Sequence, residues 1–102
     1  MEHLIERYFA MWNTGDASAV SDILAPVWLD HSHPEVATPA AVAESVTRIR
    51  AARPAMRFAL DSVTGPVAVG RAENPPAAPS LLAWVFTSDG THLTSVRTYK
   101  AM

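Results

Sequence analysis

The chain has 102 residues, of which 49% are apolar and 18% are charged, and its net charge at neutral pH is −2. This length predicts a single domain over residues 1–102, and the composition is that of a globular chain. The slight excess of acidic residues excludes the basic surface that binds nucleic acid or anionic lipid. The absence of cysteine excludes disulfides, thiolate nucleophiles and cysteine-ligated metal sites.

The first segment has the pattern of an amphipathic helix and lacks that of a signal peptide. Glu2, Glu6 and Arg7 interrupt its apolar residues, and the sequence nowhere reaches ~18 consecutive apolar residues. We therefore expect a cytoplasmic protein with no membrane partner. Apolar spacings of three and four predict a first helix from about residue 2 to residue 12, with the inward residues Leu4, Ile5, Tyr8, Phe9 and Trp12.

A turn separates this helix from a second one. Gly15 can take a positive φ and end the first helix, and Asp16 can accept from the exposed N–H groups of the next. The second helix should end near Ala25, because Pro26 disfavours a helical conformation in the residue before it. Its apolar face consists of Val20, Ile23 and Leu24.

A short strand and a third helix follow. The segment VWLDHSH, residues 27–33, carries β-branched and aromatic residues and is closed by Pro34, which predicts a strand or a strand edge. Thr38 and Pro39 form a helix-start signal, and Pro54 ends that helix. Its inward stripe is predicted to be Val42, Val46, Ile49 and Arg53.

The second half of the chain has the period of strands. MRFALDSV, residues 56–63, alternates apolar and polar positions, and VAVGRAE, residues 67–73, predicts a weaker strand. SLLAWVFTS, residues 80–88, and HLTSVRTYK, residues 92–100, flank a tight-turn signal and predict an antiparallel hairpin. Because both faces of residues 80–88 are apolar, we expect a central strand covered by helices on one side and by a partner subunit or loop on the other.

The segment RYFAMWNTGDASAVSDILAPVWLDH, residues 7–31, resembles the nuclear transport factor 2-like superfamily, close to its SnoaL-like, polyketide cyclase-like branch. The recurring features are an aromatic-rich first helix, the N-x-G-D break at residues 13–16, a short apolar second helix and a strand with Asp30 and His31. The resemblance covers nearly the whole chain. It implies a cone-shaped α+β fold with three N-terminal helices packed on a curved, mostly antiparallel sheet.

The resemblance also implies a blind cavity between helices and sheet that takes a small hydrophobic molecule. Members of the superfamily tend to pair through their sheets, so we expect a homodimer formed through the sheet. They usually run longer than this chain, so we expect a shortened fold with a shallow cone.

The cluster Asp30-His31-Ser32-His33 is the densest polar segment in an apolar stretch. In a strand His31 and His33 project to the same face, and an imidazole titrates near neutral pH, which suits proton transfer. The alternative is that His31 is a plain polar residue at the mouth of the fold. Asp30 faces away from His31 in a strand, so the two are not expected to form a dyad.

Likeness to the ketosteroid isomerases, a related branch, gives these residues roles. Tyr8 falls at the position of their oxyanion-hole tyrosine, and His31 falls at that of the carboxylate that abstracts a proton. Leu82 falls where they hold a second, protonated acid, and a leucine cannot donate. Where SnoaL-like cyclases carry a catalytic aspartate, near the end of the last strand, this chain has Arg97, Thr98, Tyr99 and Lys100.

The remaining candidates are ligand-binding residues. Arg97 can clamp an acid group or face solvent. His31-x-His33 followed by Glu35 has the spacing of some metal sites, but Pro34 kinks the chain between them, so we expect no metal and no cofactor. Aromatic side chains line the expected cavity or form plain core: Trp12, Trp28, Phe58, Trp84 and Tyr99.

Two classes of function stay open at this point. The first is a cofactor-independent isomerase, cyclase or dehydratase in which His31 moves protons and Tyr8 or Asp30 assists. The second is a non-catalytic ligand-binding or dimerisation module of the same fold. The absent second acid favours the module, and the pair of Tyr8 and His31 favours the enzyme.

Overall fold

The computed structural model describes residues 1–101, which form three helices and five strands. In chain order these are α1 (Glu2–Thr14), α2 (Val20–Ile23), β1 (Leu24–Asp30), α3 (Pro39–Ala52), β2 (Arg57–Thr64), β3 (Val67–Glu73), β4 (Ser80–Ser88) and β5 (Leu93–Lys100). The α+β class is as predicted. β1 separates α3 from the first two helices, so the helical half of the chain is not an unbroken block.

Two of the predicted helix ends are confirmed by their backbone geometry. Gly15 has a φ of 81°, and its N–H donates to the carbonyl oxygen of Met11, which closes α1. At the start of α3 the Thr38 hydroxyl accepts from the N–H of Ala41 at 3.1 Å, and Pro39 occupies the first turn.

The predictions for α2 and β1 were wrong in their limits. Asp16 does not cap α2: its Oδ1 accepts from the N–H of Ser18 at 3.0 Å, and Ala19 occupies the N-cap position. The helix has only four residues because the chain is already extended at Leu24. β1 therefore begins three residues before the predicted strand and ends at Asp30, so residues 31–33 lie beyond it.

The strands form one sheet in the order β1-β5-β4-β3-β2, in which β1 runs parallel to β5 and the other pairs are antiparallel. β4 is the central strand, as predicted. Gly70 on β3 lies against a register shift in β2, where a Cβ would come within 2.1 Å of the Ala59 carbonyl oxygen. Only glycine fits this close approach of the two strands.

The helices cover one face of the sheet, which we call the inner face. Asn13 at the end of α1 fixes this packing: its Nδ2 donates to the carbonyl oxygen of Phe58, and its Oδ1 accepts from the Phe58 N–H, both at 2.8 Å. None of the helices in residues 1–101 is long and apolar enough to cross a lipid bilayer. The largest fully buried side chains are Trp28, Phe86, Ile5, Leu24, Leu93, Val42, Val46 and Val96.

Candidate active site

A cavity of about 380 Å³ lies between the helices and the inner face of the sheet. Most of its wall is apolar, as in pockets that bind small organic molecules. The apolar lining consists of Phe9, Trp12, Trp28, Val36, Val42, Ile49, Met56, Phe58, Leu82, Trp84 and Val96. The polar lining consists of Tyr8, Asp30, Ser32, His33, Glu35, Ser45, Arg48 and Thr98.

Aromatic rings pack edge to face along one side of this cavity. The ring centroids of Phe9 and Trp84 lie 4.7 Å apart, and those of Phe58 and Trp84 lie 5.9 Å apart. Tyr8 extends this cluster, with its ring 5.7 Å from that of Trp28. Since Tyr8, Phe9 and Phe58 each contact several other rings, mutual packing holds this wall together.

Tyr8 is only 6% exposed and brings a hydroxyl group into this wall. Burial raises the pKa of Tyr8 well above its usual range, and the charge of Asp30 raises it further, while hydrogen bonding from the Trp12 side chain acts in the opposite direction. The hydroxyl therefore keeps its proton at neutral pH and is a hydrogen-bond donor.

Asp30 is the last residue of β1 and faces the same cavity. Its Oδ1 accepts from the N–H of Ser32 at 2.9 Å, which fixes the carboxylate at the turn that follows the strand. The negative charge of Asp30 is the second cause, after burial, of the raised pKa of Tyr8. A carboxylate and a phenolic hydroxyl thus meet at one apolar wall.

His31 lies outside the cavity. Trp28 and Asp30 line the cavity from β1, whereas His31, the first residue of the turn after the strand, is exposed and does not line it. Its backbone N–H donates to the carbonyl oxygen of Val96 at 3.1 Å, which holds it beside β5. The sequence placed His31 and His33 on one face of a strand, but the strand ends before them.

His33 lies at the rim of the cavity after the turn. Its Nδ1 is 3.6 Å from Glu35 Oε1, and the two side chains are 67% and 69% exposed. An exposed pair of this kind is solvated and contributes little to stability. The structure thus brings His33 and Glu35 together on the surface at the mouth of the cavity.

The other predicted ligand-binding residues fall into two groups. Arg97 and Tyr99 lie on the opposite, outer face of the sheet, where they pair with Val85 and Ala83 of β4, and neither lines the cavity. Of the predicted ligand-binding residues, four line the cavity: Trp12, Trp28, Phe58 and Trp84.

The sequence predicted Val42 and Ile49 on the inward stripe of α3, but the prediction did not include the polar residues of this helix that line the cavity. Ser45 and Arg48 line the cavity from this helix, and Ser45 is 7% exposed. A signal was present, because Ser45 follows Val42 by three residues and precedes Ile49 by four, which places a serine on the apolar stripe.

No protein-family model matches the chain, and no curated protein matches it. Solved structures do. A protein from Sphaerobacter thermophilus aligns over 97% of this chain and 94% of its own with a TM-score of 0.73 and 19% identity. A SnoaL-like polyketide cyclase from Agrobacterium tumefaciens str. C58 aligns over 96% of this chain and 88% of its own, with a TM-score of 0.71 and 9% identity.

The chain has the fold of these proteins. The resemblance to SnoaL-like and related nuclear transport factor 2-like proteins is thereby confirmed for the fold. A protein of unknown function with a cystatin-like fold from Methylobium petroleophilum PM1 also matches, with a TM-score of 0.77 and 12% identity, over 99% of this chain and 75% of its own. The chain is thus shorter than some structures of this fold and similar in length to the Sphaerobacter protein.

Proposed function

We propose that the protein binds a small hydrophobic carbonyl compound in this cavity and moves a proton on it without a cofactor, as a SnoaL-like isomerase, cyclase or dehydratase. The observation that carries the proposal is that Tyr8 and Asp30, a hydrogen-bond donor and a carboxylate, line one apolar cavity. In this proposal the helices and the inner face of the sheet form the cone-shaped pocket that the resemblance implies.

Asp30 is the base of the proposed reaction. Its carboxylate accepts a proton from the carbon beside the substrate carbonyl, and the electron pair of the broken C–H bond moves towards the carbonyl oxygen. Tyr8 donates a hydrogen bond to that oxygen as its negative charge grows. The protonated Asp30 then returns the proton to another carbon, which completes an isomerisation.

The apolar wall supports this assignment of roles. Electrostatic interactions are stronger where water is excluded, so a hydrogen bond from Tyr8 stabilises a developing enolate more than a solvated hydroxyl does. Asp30 takes the role that the sequence assigned to His31, because Asp30 faces the cavity and His31 does not. His31 has no contact with a substrate bound there.

Deuterium exchange on a bicyclic ketone tests this proposal directly. With β-tetralone in heavy water, we expect the protein to accelerate incorporation of deuterium at the carbon beside the carbonyl, measured by mass spectrometry. Asp30→Asn, which keeps the side-chain volume and removes the base, should lower this acceleration at least ~100-fold. His31→Ala should leave it within about twofold, since solvent surrounds that side chain.

The two variants also separate the candidate bases. If His31→Ala abolishes exchange and Asp30→Asn retains it, the base is His31 and the assignment to Asp30 is wrong. If the protein with both residues intact gives no acceleration, while calorimetry detects binding of the ketone, the protein is a binding module. Melting temperatures of both variants within a few degrees of the parent protein exclude loss of folding as the cause.

The second candidate, a non-catalytic binding or dimerisation module, is favoured by Leu82. This residue lines the cavity at the position where the resemblance places a second acid, and its side chain cannot donate a hydrogen bond. An enolate would then receive a single hydroxyl donor from that part of the wall. The exchange experiment decides between the two candidates.

We further propose that a second copy of the chain covers the outer face of the sheet. Val69, Ala83 and Tyr99 are adjacent across β3, β4 and β5, and Leu81 beside them is 57% exposed. Apolar side chains that are contiguous on a sheet face and exposed to water favour association. A face of one protomer that meets the same face of its partner gives a twofold dimer.

A further inference from the structure

Ser45 has an unusual environment for a serine in the middle of a helix. It lies on the apolar stripe of α3 beside Val42 and Val46, and among residues 1–101 it is the only buried side chain with a hydroxyl group besides Tyr8. An apolar residue or alanine is the usual occupant of such a stripe, since alanine is the better helix former and has no polar group to hydrate. The wall of the cavity at this point therefore has a polar group that the packing of the helix does not require.

The Ser45 hydroxyl forms no hydrogen bond to its own helix within the described residues. Serine and threonine in helices commonly donate to the carbonyl oxygen four residues earlier. Thr14 does so to Ala10 at 2.8 Å, and Thr47, two residues after Ser45, does so to Ala43 at 3.2 Å. No such bond is formed by Ser45 in the part of the chain that the structure describes. No side-chain polar atom in that part is both fully enclosed and unpaired, so the hydroxyl opens into the cavity that Ser45 lines.

We infer that Ser45 binds a second oxygen of the substrate, a hydroxyl or carbonyl group distant from the carbonyl that reacts at Tyr8. Tyr8 on α1 and Ser45 on α3, which both carry a hydroxyl group, line the same cavity from different helices. A ligand with one oxygen satisfies only one of them and leaves the other to water. The preferred ligand is therefore an apolar ring compound with two separated oxygen functions, and this inference rests on the proposed binding of a carbonyl compound in the cavity.

Ser45 acts in this scheme as a specificity-determining residue and takes no part in proton transfer. A hydroxyl in a cavity wall can donate to a carbonyl oxygen or exchange a hydrogen bond with a hydroxyl group. A site with such a group rejects ligands that lack the matching oxygen, because the buried hydroxyl then stays unpaired. It also fixes which end of an otherwise symmetric apolar molecule faces Tyr8 and Asp30.

A pair of aromatic alcohols provides the test. β-Naphthol is the aromatic counterpart of the enol of β-tetralone and carries one oxygen. Dihydroxynaphthalene isomers that keep this hydroxyl differ in the position of the second one. By calorimetry we expect at least one isomer to bind ~3- to 10-fold more tightly than β-naphthol, which is the contribution of one neutral hydrogen bond.

Ser45→Ala should abolish this gain and leave the affinity for β-naphthol within about twofold. Thr47→Ala is the matched control, because it removes a hydroxyl from the same helix that is exposed and bonded to Ala43. That variant should keep the full gain. Ser45→Ala should be at least as stable as the parent protein, since alanine is the better helix former and the change removes no hydrogen bond within the described residues.

The outcomes separate this inference from the function on which it rests. If β-naphthol and β-tetralone both fail to bind, the proposed function is wrong. If β-naphthol binds but no isomer gains affinity, or if the gain survives in Ser45→Ala, the role of Ser45 is wrong and the proposed function stands.

Discussion

The same strands form both faces of the sheet, but the two faces have different roles. On the inner face of β4, Trp84 and Phe86 are buried under the helices, and Trp84 also forms part of the cavity wall. On its outer face, Leu81 and its neighbours Val69 and Tyr99 are apolar but exposed. An apolar face with a cover gives the fold its stability, whereas one without a cover indicates a surface for association.

Alanine substitutions on the two faces should differ most in their effect on the free energy of unfolding. Phe86 is 1% exposed and contacts Tyr8 and Phe9 through its ring. Phe86→Ala should destabilise the protein by ~3–5 kcal/mol, because it removes a large buried side chain and leaves a cavity. The matched variant Leu81→Ala on the outer face should change the unfolding free energy of a monomer by at most ~0.5 kcal/mol. Urea denaturation at a low protein concentration measures both, and equal losses would contradict the distinction between the faces.

The outer face should determine the oligomeric state. Leu81→Lys places a second cation on the proposed interface, directly across from Arg71 of β3, and should weaken dimerisation at least ~10-fold, since association has to desolvate that charge. Analytical ultracentrifugation over a range of concentrations checks this. Ser21→Lys, a change at an exposed position of α2 on the helical side of the sheet, should leave association unchanged. A monomer at all concentrations for the parent protein would rule out the dimer.

A smaller effect on stability should come from Tyr8, which packs against the inner face from α1, and it should appear only at alkaline pH. The pKa of Tyr8 is raised in the folded protein above the 10.0 of an unperturbed tyrosine, so below pH 10 both states hold this proton and its contribution is constant. As the pH rises above 10, the unfolded chain loses the proton and the folded chain keeps it. Stability then falls by at most ~1.4 kcal/mol per pH unit.

Tyr8→Phe removes the ionisable group from both states and with it their difference in bound protons, so stability should fall less between pH 9 and about pH 11. Denaturant midpoints at the two pH values measure the difference. Tyr99→Phe, which removes a tyrosine that is 52% exposed on the outer face, should retain the loss of the parent protein. The same alkaline loss in Tyr8→Phe would show that another group causes it.

The sequence predicted the elements whose signals are local. Gly15 ends α1 and Thr38 begins α3 because the conformations that they adopt depend on the residues next to them. The start of β1 was missed because it depends on a distant partner: Leu24 pairs with Leu93 of β5, and this pairing draws the end of the second helix into the sheet. The sequence of the segment itself does not predict non-local pairing of this kind.

The site was predicted less well than the fold for a related reason. A shift of one residue in a strand exchanges the two faces, so the placement of Asp30 at the cavity depends on the register of β1, and His31 lies outside because the strand ends before it. Tyr8 was found because the 3.6-residue period of a helix fixes its face without reference to other elements. Ser45 lay on an equally clear stripe, but a single serine among valines reads as a tolerated substitution until the cavity beside it is known.

The placement of the indole side chains has an optical consequence. All three tryptophans of the chain, Trp12, Trp28 and Trp84, line the cavity. Intrinsic tryptophan fluorescence therefore arises only from the interior between helices and sheet, and ligand entry and unfolding both alter it at its source. Association through the outer face takes place on the other side of the sheet from every emitter, so the protein has a built-in spectroscopic probe that distinguishes its two faces.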